Sequence, residues 1–335
     1  MTSTFLITGG AGFIGSHLAQ ALVSQGHRVF VIDDLSTGRI DNIEHLLAHP
    51  NFRFQRACIA DEAVLDGMTS QCDTVIHLAA AVGVKLVIDE PLRTLETNVD
   101  GTETVLRVAH RYMAKVLIAS TSEVYGKSNA VPFREDDDIV LGPTSRSRWG
   151  YAASKLFDEF LALAYWHQRQ LPVVVFRLFN TVGPRQSSRY GMVIPRLMRQ
   201  ALKGEPITVY GDGSQTRCFC DVNDVVRALV GLANSPDAVG QVFNIGSSEE
   251  TSIVQLAERI RTIAESNSQI VFVPYSQAYG SGFEDMLRRV PNTRRIRSLL
   301  GWEPSLTLNE TLLRVLDWQR SNIATLISTA SPRCG

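Results

Sequence analysis

Six apolar runs, at residues 5–8, 28–33, 52–58, 74–78, 115–119 and 173–178, divide the first half of the chain. Near-continuous hydrophobicity, rather than strict alternation, predicts strands buried on both faces. Helical patterns follow several of these runs. Regular β–α alternation predicts an α/β fold: a Rossmann-type, doubly wound parallel sheet covered on both sides. Ligands of such sheets bind at the carboxyl ends of the strands.

From about residue 181 the texture changes. Gly183-Pro184-Arg185, Gly204-Glu205-Pro206 and Gly211-Asp212-Gly213 punctuate shorter elements, as expected of structure built around turns. Helices are predicted at 222–233, 253–265 and 308–320, and 242–245 reads as a strand returning to the main sheet. The organisation expected is a Rossmann domain over 1–180, with parts of 218–246 added to it, and a smaller C-terminal α/β substrate-binding lobe, mainly 181–325. Residues 328–335 are expected to fray. There is no internal repeat or low-complexity tract.

Composition narrows the function classes. The 335 residues carry 44% hydrophobic and 20% charged side chains, with a formal net charge of −1. That balance is ordinary for a soluble globular protein and excludes bulk attraction to nucleic acid or an acidic membrane surface. An anionic substrate must then be held by local arginines and helix N-termini. The chain runs from Met1-Thr2-Ser3-Thr4 straight into its first strand, without the pattern of a secretion leader or a membrane span. The five cysteines, Cys58, Cys72, Cys218, Cys220 and Cys334, are scattered and lack metal-ligand spacing. No metal is expected, and reduced thiols in a cytoplasmic protein are.

Ile7-Thr8-Gly9-Gly10-Ala11-Gly12-Phe13-Ile14-Gly15-Ser16 joins the first strand to the first helix. The missing side chains let the backbone turn tightly and approach a pyrophosphate at the positive end of the helix. Asp33, closing the second strand, suits the ribose hydroxyls of an adenosine and would repel a 2′-phosphate, which favours NAD over NADP.

Tyr151 and Lys155 lie one helical turn apart in Trp149-Gly150-Tyr151-Ala152-Ala153-Ser154-Lys155. A free phenol titrates near pH 10. The lysine ammonium and a positive nicotinamide nearby are expected to bring Tyr151 down toward working pH as a base, with Lys155 also holding the nicotinamide ribose. Ser120-Thr121-Ser122-Glu123-Val124-Tyr125-Gly126 comes after the fifth strand, at the sheet's carboxyl edge. Thr121 or Ser122 is placed to relay the proton of a reacting hydroxyl to Tyr151, and Glu123 to act as a base or an electrostatic partner.

These residues resemble the extended short-chain dehydrogenase/reductase superfamily, in particular its nucleotide-sugar epimerases, dehydratases and decarboxylases. The resemblance covers nearly the whole chain. It adds Asp33-Asp34-Leu35-Ser36-Thr37-Gly38, His77-Leu78-Ala79-Ala80 and Arg177-Leu178-Phe179-Asn180-Thr181-Val182-Gly183-Pro184-Arg185 to the motifs above, with Gly204 to Arg217 downstream. It implies cofactor contacts at Gly9, Gly12, Phe13, Ile14, Gly15, Asp33, Asp34, Ser36, Thr37, Gly38, Ile59, Leu78, Ala79, Ala80, Asn98, Tyr151 and Lys155. Substrate contacts are implied at Lys85, Asn180, Arg185, Val193, Arg217 and Arg289, with Asn180 and Arg217 at the nucleotide diphosphate. A homodimer is implied through helices matching 92–111 and 151–168. The chain departs from the family at Cys58, where an aspartate often binds the adenine amino group; either Asp61 compensates or backbone alone holds the base.

The resemblance also implies bound NAD that is reduced and reoxidised within one turnover at the sugar C4 hydroxyl. The fate of the 4-ketone is open. Plain 4-epimerases usually carry a small residue in place of Glu123, whereas Thr-Ser-Glu-Val-Tyr-Gly looks more like UDP-glucuronate decarboxylases. Phe283-Glu284-Asp285-Met286-Leu287-Arg288-Arg289-Val290-Pro291 and Ser147-Arg148-Trp149 point the same way, and make Arg289 a candidate catalytic residue. UDP-hexose or UDP-hexuronate 4-epimerisation is the alternative, then 4,6-dehydration, which shares the Thr-Ser-Glu. A non-catalytic NAD-binding sensor is disfavoured by the presence of both Tyr151 and Lys155.

Overall fold

The computed structural model describes residues 2–188, 191–279, 284 and 286–330. Six predicted runs form β1 (Thr4–Thr8), β2 (Arg28–Asp33), β3 (Phe52–Arg56), β4 (Thr74–His77), β5 (Lys115–Thr121) and β6 (Val173–Leu178). Residues 242–245 do return to the sheet: Val242–Ile245 pairs parallel with β6. The spatial order is Val242–Ile245, β6, β5, β4, β1, β2, β3, and all neighbours are parallel. The order reverses between β1 and β4, which opens the crevice where such sheets bind ligands.

Helices cover both faces because the strands are apolar on both. α1 (Phe13–Ser24) packs one face through Leu18, Ala19 and Leu22, beside the helix Val222–Asn234. α2 (Glu62–Thr69), α4 (Pro91–Tyr112) and α5 (Ser147–Arg169) cover the other, with Leu65, Leu106 and Ala162 against Val116 and Val175. The short α3 (Val84–Asp89) precedes α4. Each fully buried aliphatic side chain of this kind contributes roughly 1.5–3 kcal/mol.

A second apolar cluster, including Leu197, Val209, Leu256, Ile260 and Leu312, gathers the helices Val193–Lys203, Ile253–Ile263 and Leu308–Ala330 around the strand pair Ile207–Tyr210 and Ile270–Val273. The last helix runs on past the predicted 320 to Ala330; residues 331–335 lie outside the described residues.

One ion pair fastens α5 to the sheet. Arg177 on β6 reaches Glu159 on α5, with Nη2 2.7 Å and Nε 2.9 Å from its carboxylate oxygens, and both residues are buried. Ser120 of β5 donates to the same carboxylate, and Arg177 Nη1 donates to the Tyr125 hydroxyl at 2.9 Å. Burial opposes the guanidinium charge, but the Glu159 bonds outweigh it and hold Arg177 above its ordinary range. Removing one partner leaves an uncompensated buried charge. Arg177→Leu is therefore expected to lower stability by about 3–5 kcal/mol in a denaturant titration, with the midpoint as readout.

Candidate active site

The crevice is a single cavity of about 640 Å³ that runs from the glycine loop to the second cluster of helices. Gly9, Gly12, Phe13, Ile14 and Gly15 line one end, and Tyr151, Lys155, Thr121, Ser122, Glu123 and Arg289 line its middle. Asn180, Val193 and Arg217 lie on the wall beyond.

The loop is shaped for close approach. Gly9 takes a φ of +69°, and a Cβ there would stand 2.8 Å from the backbone nitrogen of Ala79. A Cβ on Gly15 would stand 2.4 Å from the Gly9 carbonyl oxygen. α1 begins at Phe13 after its N-cap Gly12, with no side-chain cap and no acid in its first turn, and this N-terminal turn lines the cavity. Asp33 Oδ2 accepts from Ala11 N–H at 2.9 Å and Oδ1 from Leu35 N–H at 2.8 Å, which orients the acid at the cavity edge. Burial pushes its carboxyl up, and these backbone bonds pull against that shift. This cradle fits a dinucleotide: a tight uncapped turn for the pyrophosphate and a fixed acid for the ribose.

Asp34, Ser36, Thr37, Ile59, Leu78, Ala79 and Ala80 also line the cavity, and Cys58 does too. Gly38 and Asn98 do not. Gly38 lies against Asp33, where a Cβ would come within 2.8 Å of Oδ1. Asn98 is buried in α4; its Oδ1 accepts from Ala81 N–H at 2.9 Å and its Nδ2 donates to Ser154 Oγ at 3.2 Å. These two residues support the wall rather than form it. Arg185 is turned toward α1, with Nη2 donating to Gln20 at 2.7 Å, while His17 Nε2 lies 3.0 Å from the Pro184 carbonyl oxygen. The Gly183-Pro184-Arg185 turn is thus tied to the helix of the glycine loop. The Lys85 side chain lies outside the described residues.

At the centre, β5 ends on Thr121, and the 3-10 turn Ser122–Tyr125 comes directly after it. Thr121 hydrogen-bonds the Tyr151 phenol. The Ser122 hydroxyl is buried and has no partner among the described residues. Glu123 Oε1 lies 3.4 Å from Arg289 Nη1 and 3.8 Å from Arg148 Nη2. Sequence reasoning assigns no role to Arg148; it stands one turn ahead of Tyr151 on α5 and is buried. Glu284, near Arg289 in the chain, accepts from the Trp149 indole at 2.9 Å and pairs with Lys127 at 2.8 Å, closing this segment over α5.

The protein's own groups push the Tyr151 phenol up. Burial is the main cause, Glu123 adds to it, and the Thr121 bond and the Arg289 charge oppose it. Lys155 donates instead to Asp158, its Nζ 2.7 Å from Oδ2.

Residues 5–246 match the model of the NAD dependent epimerase/dehydratase family, and the chain belongs to that family. It is an NAD-dependent enzyme. A UDP-N-acetyl-alpha-D-glucosaminuronate decarboxylase of Bacillus cytotoxicus is 42% identical over 96% of this chain and 98% of the relative. UDP-glucuronic acid decarboxylase 1 of Danio rerio is 39% identical over 93% of this chain and 72% of its own length. A crystal structure of the UDP-glucuronic acid 4-epimerase from Bacillus cereus, in complex with UDP-glucuronic acid and NAD, superposes with a TM-score of 0.86 at 29% identity, over 95% and 99% of the two chains.

The glycine loop gives a direct test of the cofactor cradle. Gly15→Ala places a methyl against the Gly9 carbonyl. Bound NAD measured after purification is expected to fall, with affinity weakened on the order of tenfold or more because the loop must open to admit the extra carbon.

Proposed function

We propose that this enzyme decarboxylates a UDP-hexuronate through transient oxidation at C4, with UDP-glucuronate or its 2-N-acetylamino counterpart as substrate. The observation that carries the reading is Glu123, set beside Tyr151 with two guanidinium groups against it, those of buried Arg148 and half-buried Arg289. Both guanidinium groups line the cavity beside Glu123, an arrangement that suits a substrate carboxylate. The named decarboxylases among the relatives support the same choice.

Bound NAD supplies a reversible hydride acceptor at C4. Tyr151 takes the C4 hydroxyl proton at its phenolic oxygen, and Thr121 orients it. The 4-ketone makes the uronate a β-keto acid. Its C5–C6 bond then breaks, CO₂ leaves, and the electron pair passes to the C4 oxygen as an enolate. A proton delivered to C5, with Glu123 and Ser122 at hand, restores the ketone. Reduction at C4 with return of the Tyr151 proton closes a redox-neutral cycle. Lys155 secures the nicotinamide ribose, and Asn180 and Arg217 hold the diphosphate.

Residues 1–180 with parts of 218–246 form the cofactor domain in this reading, and 181–325 mainly the substrate lobe. The enzyme works as a homodimer in the cytoplasm. Leu92 and Phe160, each 67% exposed, and Phe157 give α4 and α5 an apolar outer face, which supports pairing of two copies there. The free thiols of Cys58, Cys72, Cys218 and Cys220 support a reducing compartment.

Incubation with each UDP-hexuronate tests the reaction: CO₂ with a UDP-pentose product is expected, and the C4 epimer without CO₂ would replace decarboxylation by epimerisation. Glu123→Gln is expected to lower turnover by about 100-fold or more while bound NAD persists, measured by CO₂ release and cofactor absorbance on the same preparation.

A further inference from the structure

Asp158 is fully buried on α5, one turn beyond Lys155, and its carboxylate receives the Lys155 ammonium at 2.7 Å. Behind it a line of buried polar side chains crosses from α4 through β4 to β1. His77 Nε2 lies 3.1 Å from Thr102 Oγ1 and His77 Nδ1 lies 2.7 Å from Thr8 Oγ1, while Asp158 Oδ1 is buried without a hydrogen-bond partner among the described residues. Thr8 directly precedes Gly9, and its hydroxyl oxygen accepts from Ala79 N–H at 3.2 Å.

Burial, aided by the Lys155 charge, holds the His77 imidazole down to about 3, so the ring is neutral at working pH. A neutral imidazole offers one donor and one acceptor. One assignment of protons uses both: Thr8 donates to Nδ1 and Nε2–H donates to Thr102. Burial pushes the Asp158 carboxyl up, and the Lys155 ammonium in contact with it pulls against that shift.

We infer that Asp158 is a positioning residue acting through Lys155: it holds the ammonium and offsets its charge, so that Tyr151 stays a protonated phenol until a further positive charge enters the cavity. The inference rests on the reading of Tyr151 as the base. The charged groups around Tyr151 are Lys155, Asp158 and Arg148 on α5, Glu123 after β5, and Arg289 from the segment that closes over the helix. Glu159, also on α5, is taken by Arg177, and His77 on β4 is neutral. Glu123 and Asp158 both raise the phenol, beyond the effect of burial. A positive nicotinamide held there would supply the charge that favours the phenolate, and loss of that charge on reduction would leave the proton on Tyr151 for the return step.

Asp158→Asn preserves shape and removes the charge. Spectroscopic titration of phenolate absorbance in the holoenzyme, with Tyr151→Phe as the blank, is expected to place the Tyr151 ionisation about one pH unit lower in Asp158→Asn than in the natural enzyme, which is roughly tenfold more phenolate at a given pH below it. Asp158→Glu restores the acid and is expected to move the titration back toward the natural position. If the asparagine variant does not fold, Asp158→Ser serves for the same comparison. A phenol unmoved or raised in the uncharged variant overturns the inference and leaves Asp158 a structural partner of Lys155. Turnover that persists in Tyr151→Phe overturns the base assignment, and the inference with it.

Discussion

The buried bond between Arg177 and Glu159 decides where the chemistry of this molecule stands. α5 carries Arg148, Tyr151, Lys155 and Asp158 ahead of Glu159, and a rigid helix transmits the position of one residue to all the others at 1.5 Å per residue. Pinning Glu159 to β6 through Arg177, and to β5 through Ser120, sets both the depth and the rotation of the helix over the strand ends. Thr121 and Ser122 belong to the same strand end. Phenol, hydroxyls and acid are therefore aligned by one anchor, and a paired buried charge tolerates little slack because any gap exposes it to a desolvation penalty with no compensation.

On that frame the cavity sets charges against one another. Glu123 meets Arg148 and Arg289, Lys155 meets Asp158, and Tyr151 stands among them without a formal charge of its own. Desolvation dominates at the phenol, which rises even with a lysine one turn away. The motif of a tyrosine and a lysine at helical spacing therefore does not by itself specify an active base. The third partner of the lysine decides how much of its charge reaches the phenol.

Most of the fold was legible because its signals are local. Apolar runs marked the strands, glycines marked the loop, and the return of 242–245 followed from its own composition. The site residues carried by short motifs were legible for the same reason. Asp158 was not, since an aspartate within a helix reads as solvated surface until the packing of α4 and β4 buries it. Arg148 sits in a recognisable motif without a legible role, because its relation to Glu123 depends on a fold that brings residue 148 back beside residue 123. Gly38 and Asn98 are placed differently from their neighbours in the cofactor set: their contacts are with Asp33, Ala81 and Ser154, behind the residues that line the cavity.

The same C4 oxidation serves several outcomes, and charge balance around Glu123 offers a physical basis for choosing among them. An epimerase must let the 4-keto sugar turn over so that either face is reduced, which is easiest when few strong bonds hold the C5 substituent. A decarboxylase gains from the opposite: a carboxylate held with its C5–C6 bond aligned to the ketone π system, so that the electrons flow into the carbonyl as CO₂ departs. Two guanidinium groups can grip that carboxylate, but unbuffered they would also stabilise it against loss. Glu123 between them moderates their hold, and as the substrate's negative charge moves from the carboxylate toward the C4 oxygen, Tyr151 and Thr121 are the groups there to receive it.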